Sequence, residues 1–267
     1  MDGAMEIIPG VYSIPIGQGA FPGVFPPNVY LVAGDHPVLV DSGYEADAPA
    51  RLEKLREMNL RVARILVTHP HPDHIGGAVP IGQATGARIF MHRVDAAEAG
   101  TSVEALEHGQ VVSTGSAELE VVHTPGHTPG HMCLMLRHQG ILFSGDHVLG
   151  LGTTVITPPR GDMGLYMASL EKLLSYPFQS ICPGHGPVVK EGHRKVEELL
   201  QHRREREAQV LSCLKRGRSR IEDMVKDIYD ELDARLVGLA ELQMKAHLLK
   251  LQAEGRVAAH EGTYSLR

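Results

Sequence analysis

The run Thr68-His69-Pro70-His71-Pro72-Asp73-His74-Ile75-Gly76-Gly77 places three imidazoles and one carboxylate within six residues. Imidazole nitrogen and carboxylate oxygen together suit a divalent cation of zinc-like character. His69 and His71 are two residues apart and share one side of an extended segment. Asp73 and His74 are adjacent and diverge, so they can serve a second ion. Three more ligand types follow: His127 in Pro125-Gly126-His127-Thr128-Pro129-Gly130-His131, Asp146 in Phe143-Ser144-Gly145-Asp146, and His185 in Pro183-Gly184-His185-Gly186. Each comes just after an apolar run and beside glycine, where the backbone can approach closely at a sheet edge. A histidine next to glycine is by itself more often a turn residue. The conjunction of four such places is what points to a two-metal centre.

The elements that must position these residues alternate between strand-like and helix-like texture. Val29–Val32 and Val38–Val40 flank Gly34-Asp35-His36-Pro37 as a hairpin, and Met132–Leu136 and Ile141–Phe143 flank Arg137-His138-Gln139-Gly140 as a second. Arg64–Val67, Arg88–Met91, Leu119–Val122 and Ser180–Cys182 read as further strands. Ala50–Met58 and Leu165–Leu174 read as amphipathic helices. This order predicts mixed sheets with helices outside them, an α/β or α+β class. After His185 the texture changes. A long charged helix over Glu191–Leu214, helices over Ser219–Tyr229 and Ala240–Ala253, and a hairpin at Arg256–Ala259 and Thr263–Leu266 follow the order of a winged-helix module. The expected division is therefore residues 1–190 and 191–267.

Composition narrows the function classes. The chain has 267 residues, 43% hydrophobic and 22% charged, enough for a sizeable core. Its net charge of −6 is not that of a general nucleic-acid binder. Residues 190–267 hold 16 Lys and Arg against 14 Asp and Glu, so the acidic excess lies in the part with the histidine motif. Bound cations would offset it. Cys133, Cys182 and Cys213 form no C-x-x-C pair, which excludes a disulfide framework and a four-cysteine zinc site. The N-terminal residues show no secretory pattern and no apolar stretch is long enough to span a bilayer, so a cytoplasmic protein without a membrane partner is expected.

The motif series resembles that of the metallo-β-lactamase superfamily over roughly residues 6–190, and over nearly the whole chain its β-lactamase-like-protein-2 group. The second likeness rests on Pro183-Gly184-His185-Gly186-Pro187-Val188, His202-Arg203-Arg204-Glu205 and the tail from Ala246 to Val257. The resemblance implies a four-layered αββα sandwich with a C-terminal winged helix. It implies that His69, His71 and His127 bind one ion, that Asp73, His74 and His185 bind the other, and that Asp146 bridges them. The ions would be two Zn2+, with iron or manganese as alternatives. His71, where related diiron flavoproteins carry an acid, favours zinc and hydrolysis over redox chemistry. A metal-bridging hydroxide is the expected nucleophile, with Asp73 and Asp146 as the catalytic carboxylates. Asp41 and His131 are candidate supports behind the ligands, a turn cap and a structural histidine being the plainer readings.

Between Asp146 and His185 lie 38 residues, enough for a helix and a lid but not for a large inserted domain. Gly152–Met163 is the expected lid, with Thr153, Thr154 and Arg160 as candidate substrate contacts. The loop Gly17–Asn28 is expected to share in specificity. The expected activity is hydrolysis of a small thioester, lactone or related ester. Single-strand endoribonuclease action, with RNA gripped through the winged helix, is the alternative, and β-lactam hydrolysis would be a promiscuous third. Arg203, Arg204, Arg206, Lys215, Arg216, Arg218 and Arg220 look basic, but Glu205 and Glu207 interrupt them, and such runs are usually a solvated helix face. Aromatic residues for base stacking are few, at 4% with no tryptophan. A small molecule is thus the favoured partner, and a homodimer the candidate assembly.

Overall fold

A computed structural model describes residues 4–17, 25–97, 99, 103–229 and 231–267. Most of the Gly17–Asn28 loop lies outside the described residues. The chain forms two compact units that do not follow chain order. The first comprises Met1–Thr124, Gly130–Thr153 and Tyr176–His193, and the second Pro125–Pro129, Thr154–Ser175 and Arg194–Arg267. The chain enters the second unit three times. Packing, not chain order, decides which segments share a core.

The first unit holds two sheets. Seven strands stand in sequence order in one: β1 (Met5–Ile8), β2 (Val11–Ser13), β3 (Tyr30–Val32), β4 (Val38–Val40), β5 (Arg64–Leu66), β6 (Arg88–His92) and β7 (Val103–Leu106). β1 to β4 pair antiparallel, and β4 to β7 pair parallel. The other holds β8 (Val111–Ser113), β9 (Glu118–His123), β10 (Met132–Leu136), β11 (Ile141–Gly145) and β12 (Ser180–Pro183), with only β11 and β12 parallel. Sequence patterning missed β1, β2, β7 and β8, which are short and only partly apolar.

The central strands read as unbroken apolar runs because both their faces are covered. Tyr30, Val32, Val38, Val40 and Leu66 meet Leu119, Val121, Leu134, Ile141 and Phe143 of the second sheet. Leu31, Leu39 and Ile65, one residue out of phase, face the opposite way. They pack with Ala48 and Leu55 of α1 (Ala48–Glu57) and with Ala78 and Ile81 of α3 (Ala78–Thr85). Two one-turn helices complete this unit: α2 (Pro72–Ile75) and α4 (Arg93–Ala96).

In the second unit, α5 (Met163–Leu173) starts where the Asp162 side chain accepts a hydrogen bond of 2.8 Å from the Leu165 amide. It is joined by α6 (Gly192–Lys215), α7 (Ile221–Ile228), α8 (Val237–Ala253) and the hairpin β13 (Val257–His260) with β14 (Thr263–Leu266). Val210, Cys213, Met224, Val225, Met244, Leu248, Leu251 and Val257 form its apolar core. No helix among the described residues is long and apolar enough to cross a membrane.

Phe143 is fully buried between the two sheets, its ring 5.4 Å from that of Tyr30. Phe143→Ala is expected to destabilise the fold by about 3–5 kcal/mol. Denaturant unfolding with an unchanged m-value would measure it.

Candidate metal centre

Parallel pairing brings the candidate ligands to common edges. Val40 of β4 stands beside Leu66 of β5, so Asp41 and the Thr68-His69 pair leave the first sheet at the same edge. Gly145 of β11 stands beside Pro183 of β12, which puts Asp146 and His185 together at the edge of the second. The His71–Gly77 segment folds over this edge through α2. A Cβ on Gly77 would stand 2.4 Å from the Ser42 carbonyl oxygen, so only glycine allows that approach. Likewise a Cβ on Gly184 would lie 2.5 Å from Asp146 Oδ1 and 2.8 Å from His74 Cε1.

The candidate ligand atoms fall into two groups. His69, His71 and Asp146 offer atoms within 4.8 Å of one another, and so do Asp73, His74 and His185. Asp146 faces both. Its Oδ2 is 4.0 Å from His69 Nε2, while its Oδ1 is 3.3 Å from His74 Nε2 and 3.5 Å from His185 Nε2. His69 Nε2 is 2.9 Å from His71 Nδ1, and His74 Nε2 is 3.3 Å from His185 Nε2. Asp73 Oδ2 lies 3.2 Å from His185 Nε2.

What each ring does with its other nitrogen decides what it presents here. Thr68 Oγ1 lies 3.0 Å from both Asp41 oxygens and 3.0 Å from His69 Nδ1. Its hydroxyl donates to the carboxylate and accepts from His69. Asp41 Oδ2 also accepts from His74 Nδ1 at 2.8 Å, and its Oδ1 from the Thr68 amide at 2.7 Å. His185 Nδ1 donates to the Phe25 carbonyl at 3.0 Å. The Nε2 atoms of His69, His74 and His185 are thereby directed at neighbouring rings and carboxylate oxygens. A pocket of converging imidazole nitrogens and carboxylate oxygens fits cations, and this mixture fits two divalent ones.

The electrostatics agree. Burial alone would push His74 down, but Asp146 and Asp41 outweigh it and hold its pKa well above the ordinary imidazole value. For His185, burial again opposes and Asp73 and Asp146 prevail, leaving it raised. Asp73 is raised by burial but lowered overall by His185 and His74.

The comparisons with known proteins decide the family. Residues 22–185 match the model of the metallo-β-lactamase superfamily, and residues 221–264 match the β-lactamase-associated winged-helix domain. The chain is a member of the metallo-β-lactamase superfamily. It is 36% identical to a "Beta-lactamase-like protein 2 homolog" of Drosophila melanogaster, over 86% of this chain and 83% of that protein. It is 32% identical to an "Atrochrysone carboxyl ACP thioesterase" of Claviceps purpurea, over 85% of this chain and 74% of that protein. Among solved structures, a metallo-β-lactamase family protein of Thermus thermophilus superposes with a TM-score of 0.79, at 24% identity, over 98% of this chain and 100% of that one. The chain is thus a metal-dependent hydrolase with this superfamily's fold and a C-terminal winged helix.

Within this metallo-β-lactamase fold, His127 sits on the loop Pro125–Pro129, whose flanking residues Thr124 and Gly130 belong to the first unit. Its Nδ1 is 3.0 Å from the Val155 carbonyl oxygen and 3.2 Å from Thr154 Oγ1. His131 is fully buried, its Nδ1 2.9 Å from Thr124 Oγ1, and its Nε2 accepts from the Asp146 amide at 3.2 Å. Thr154, a candidate substrate contact, is buried with its hydroxyl 3.2 Å from His127 Nδ1. Thr153 is half-buried and Arg160 exposed.

Sequence reasoning assigned no role to Thr68, which joins Asp41 to His69, or to Asn28, whose side-chain amide donates to the carbonyls of Pro183 at 2.9 Å and Gly186 at 2.7 Å around His185. The Thr68 signal was its place directly before the first histidine. Asn28 carried none. His92 and His123 stack at 3.8 Å away from these ligand groups. The three cysteines are buried, and burial pushes the Cys182 thiol up to about 12.

These shifts give metal-free and metal-loaded protein opposite responses to pH. In the metal-free protein, His74 and His185 bind protons more tightly folded than unfolded. Their contribution to stability is full below the unfolded imidazole value of 6.5 and is lost as pH rises through their raised folded values. With metal bound, the same protons compete with the ion, so acidification weakens it. The gap in Tm between metal-loaded and chelator-treated protein is therefore expected to narrow as pH falls from about 8 to about 6. A gap constant across that range would contradict this account of the pocket.

Proposed function

We propose that this chain is a dizinc hydrolase of small thioesters and related esters. The observation that carries it is the cluster in which imidazole nitrogens and the Asp73 and Asp146 carboxylates converge. In this reading His69, His71 and His127 would hold one zinc, Asp73, His74 and His185 would hold the other, and Asp146 would serve both. Two such ions lower the pKa of a water toward neutrality and polarise the acyl carbonyl.

The protein's own residues do the rest. Asp41, Thr68 and the Phe25 carbonyl keep the ligand rings in the binding tautomer. Asp73, whose pKa is lowered by its histidine neighbours, is ionised and can take the proton of the attacking water. The water oxygen adds to the acyl carbon, the C–S bond breaks, and the proton passes from Asp73 to the leaving sulfur, giving an acid and a thiol.

Two things favour a small acyl substrate over RNA. One is the likeness to a carboxyl ACP thioesterase. The other is that five of the basic residues read as a solvated face, Arg203, Arg204, Arg206, Arg216 and Arg218, are engaged inside their own unit. Arg203 is the plain correction: it is only 2% exposed. Arg204 pairs with Glu171 at 2.9 Å, Arg216 and Arg218 share Asp227 at 3.2 and 3.1 Å, and Arg206 lies 4.2 Å over the Tyr229 ring. Paired cations release fewer counterions from a phosphate backbone, so affinity for RNA drops.

The test is a panel of acyl thioesters, lactones, β-lactams and labelled single-stranded RNA against protein carrying about two zinc equivalents by elemental analysis. Thioesters are expected to give the highest kcat/KM. Asp146→Ala is expected to lose activity by about a thousandfold or more while remaining folded, since catalysis needs both ions. Less than one equivalent of any transition metal, or near-normal turnover by metal-replete Asp146→Ala, would refute the two-metal reading. Efficient RNA cutting that disappears when Lys215, Arg216, Arg218 and Arg220 are neutralised would transfer the assignment to a ribonuclease.

A further inference from the structure

Residues Thr154, Val155 and Ile156 belong to no helix or strand, yet Thr154 and Ile156 are buried. Buried carbonyls need partners, and here three successive ones are taken by side chains. Arg203 Nη2 of α6 donates to the Thr154 carbonyl at 2.7 Å. His127 Nδ1 donates to the Val155 carbonyl at 3.0 Å. Gln243 Nε2 of α8 donates to the Ile156 carbonyl at 3.0 Å. Arg203 and Gln243 are themselves joined, Arg203 Nη1 donating to Gln243 Oε1 at 3.2 Å. The Arg203 guanidinium lies 5.2 Å over the buried ring of Tyr166 on α5.

The two outer carbonyls of the tripeptide are fixed by a linked pair of helix side chains, and the middle one orients a histidine. We infer that Arg203 and Gln243 are positioning residues that clamp the 154–156 segment so that His127 is held as the Nδ1–H tautomer with Nε2 presented outward as a ligand atom. Side chains of α6 and α8 then have a task in their own unit that requires neither nucleic acid nor substrate contact: they set the ring state of His127, one of the candidate ligands. A buried arginine is costly unless its donors and its charge are satisfied. The carbonyl, the amide oxygen and the aromatic face meet that need for Nη1, Nη2 and the charge, while Nε has no hydrogen bond among the described residues, and lysine could not reproduce the fork. The metal consequence rests on the dizinc reading, whereas the ring geometry does not.

The experiment uses the full chain with Arg203→Met, Arg203→Lys and the milder Gln243→Met. Val257→Ala, a buried position in the core of the second unit, is the control for lost stability. Histidine ring tautomers are read in metal-free protein by long-range 1H–15N NMR, and the His127 signals are assigned from His127→Gln. Zinc affinity is read by chelator competition, and cobalt(II)-substituted protein by its visible absorption. The His127 ring is expected to be the Nδ1–H tautomer in the wild type and in Val257→Ala, and a mixture in Arg203→Met and Gln243→Met. One of the two ions should bind about 10- to 100-fold more weakly in Arg203→Met, as for other supports behind metal ligands, with an altered cobalt spectrum. Arg203→Lys should recover only part of this. An unchanged His127 tautomer in both Arg203→Met and Gln243→Met would overturn the clamp, as would equal changes in Val257→Ala. If the tautomer shifts but His127→Gln leaves both ions bound normally, the clamp stands and His127 loses its place among the metal ligands.

Discussion

Imidazole nitrogens about 3 Å apart constrain one another's protonation and orientation, and this molecule gathers several of them beside carboxylates. Such a cluster persists only if each ring is prevented from turning its N–H inward. The tying-off is done from behind, and it reaches far. One carboxylate, Asp41, serves His74 directly and His69 through the Thr68 hydroxyl. It does so from a left-handed backbone conformation, φ 59°, that non-glycine residues rarely adopt. His185 is held by the Phe25 carbonyl, and His127 by that of Val155. The cation site is thus as much a property of its supports as of its ligands.

The sheets supply the rigidity these supports require. Because β4, β5 and β6 are covered on both faces, their carboxyl ends are fixed to within the tolerance of a packed core. The parallel pairing then delivers Asp41 beside Thr68 and Asp146 beside His185 without any long-range search by the loops. Polar residues at the end of a strand whose whole length is apolar have one place to go, the open edge. This is why a hydrolytic centre and a buried core can be written into the same short segments.

Charge is handled differently in the second unit. There Arg203, Arg204, Arg206, Arg216 and Arg218 are spent on internal partners: Glu171, Asp227, two aromatic rings and the Thr154 carbonyl. Exposed pairs of this kind add little stability, but they do withdraw positive charge from the surface. The buried Arg203 is of another kind, since removing it would strand the Thr154 carbonyl and the Gln243 side chain together.

The motif from His69 to His74, together with His127, Asp146 and His185, was legible in the sequence because metal chemistry limits ligands to a few residue types and the strands before them announce their positions. The mixed α/β class and the three-helix-plus-hairpin order of the tail were legible through apolar periodicity, with β1, β2, β7 and β8 lost for want of it. Tertiary structure alone decided the rest. It set the Thr154 hydroxyl beside His127, put Asn28 and Phe25 around His185, buried Arg203 in what reads as a solvated charged face, and drew residues 125–129 and 154–175 into the C-terminal unit. These roles rest on hydrogen bonds to backbone carbonyls and on the meeting of segments far apart in the chain. A carbonyl is present at every residue whatever its type, so no spacing of side chains could have marked which ones would be used.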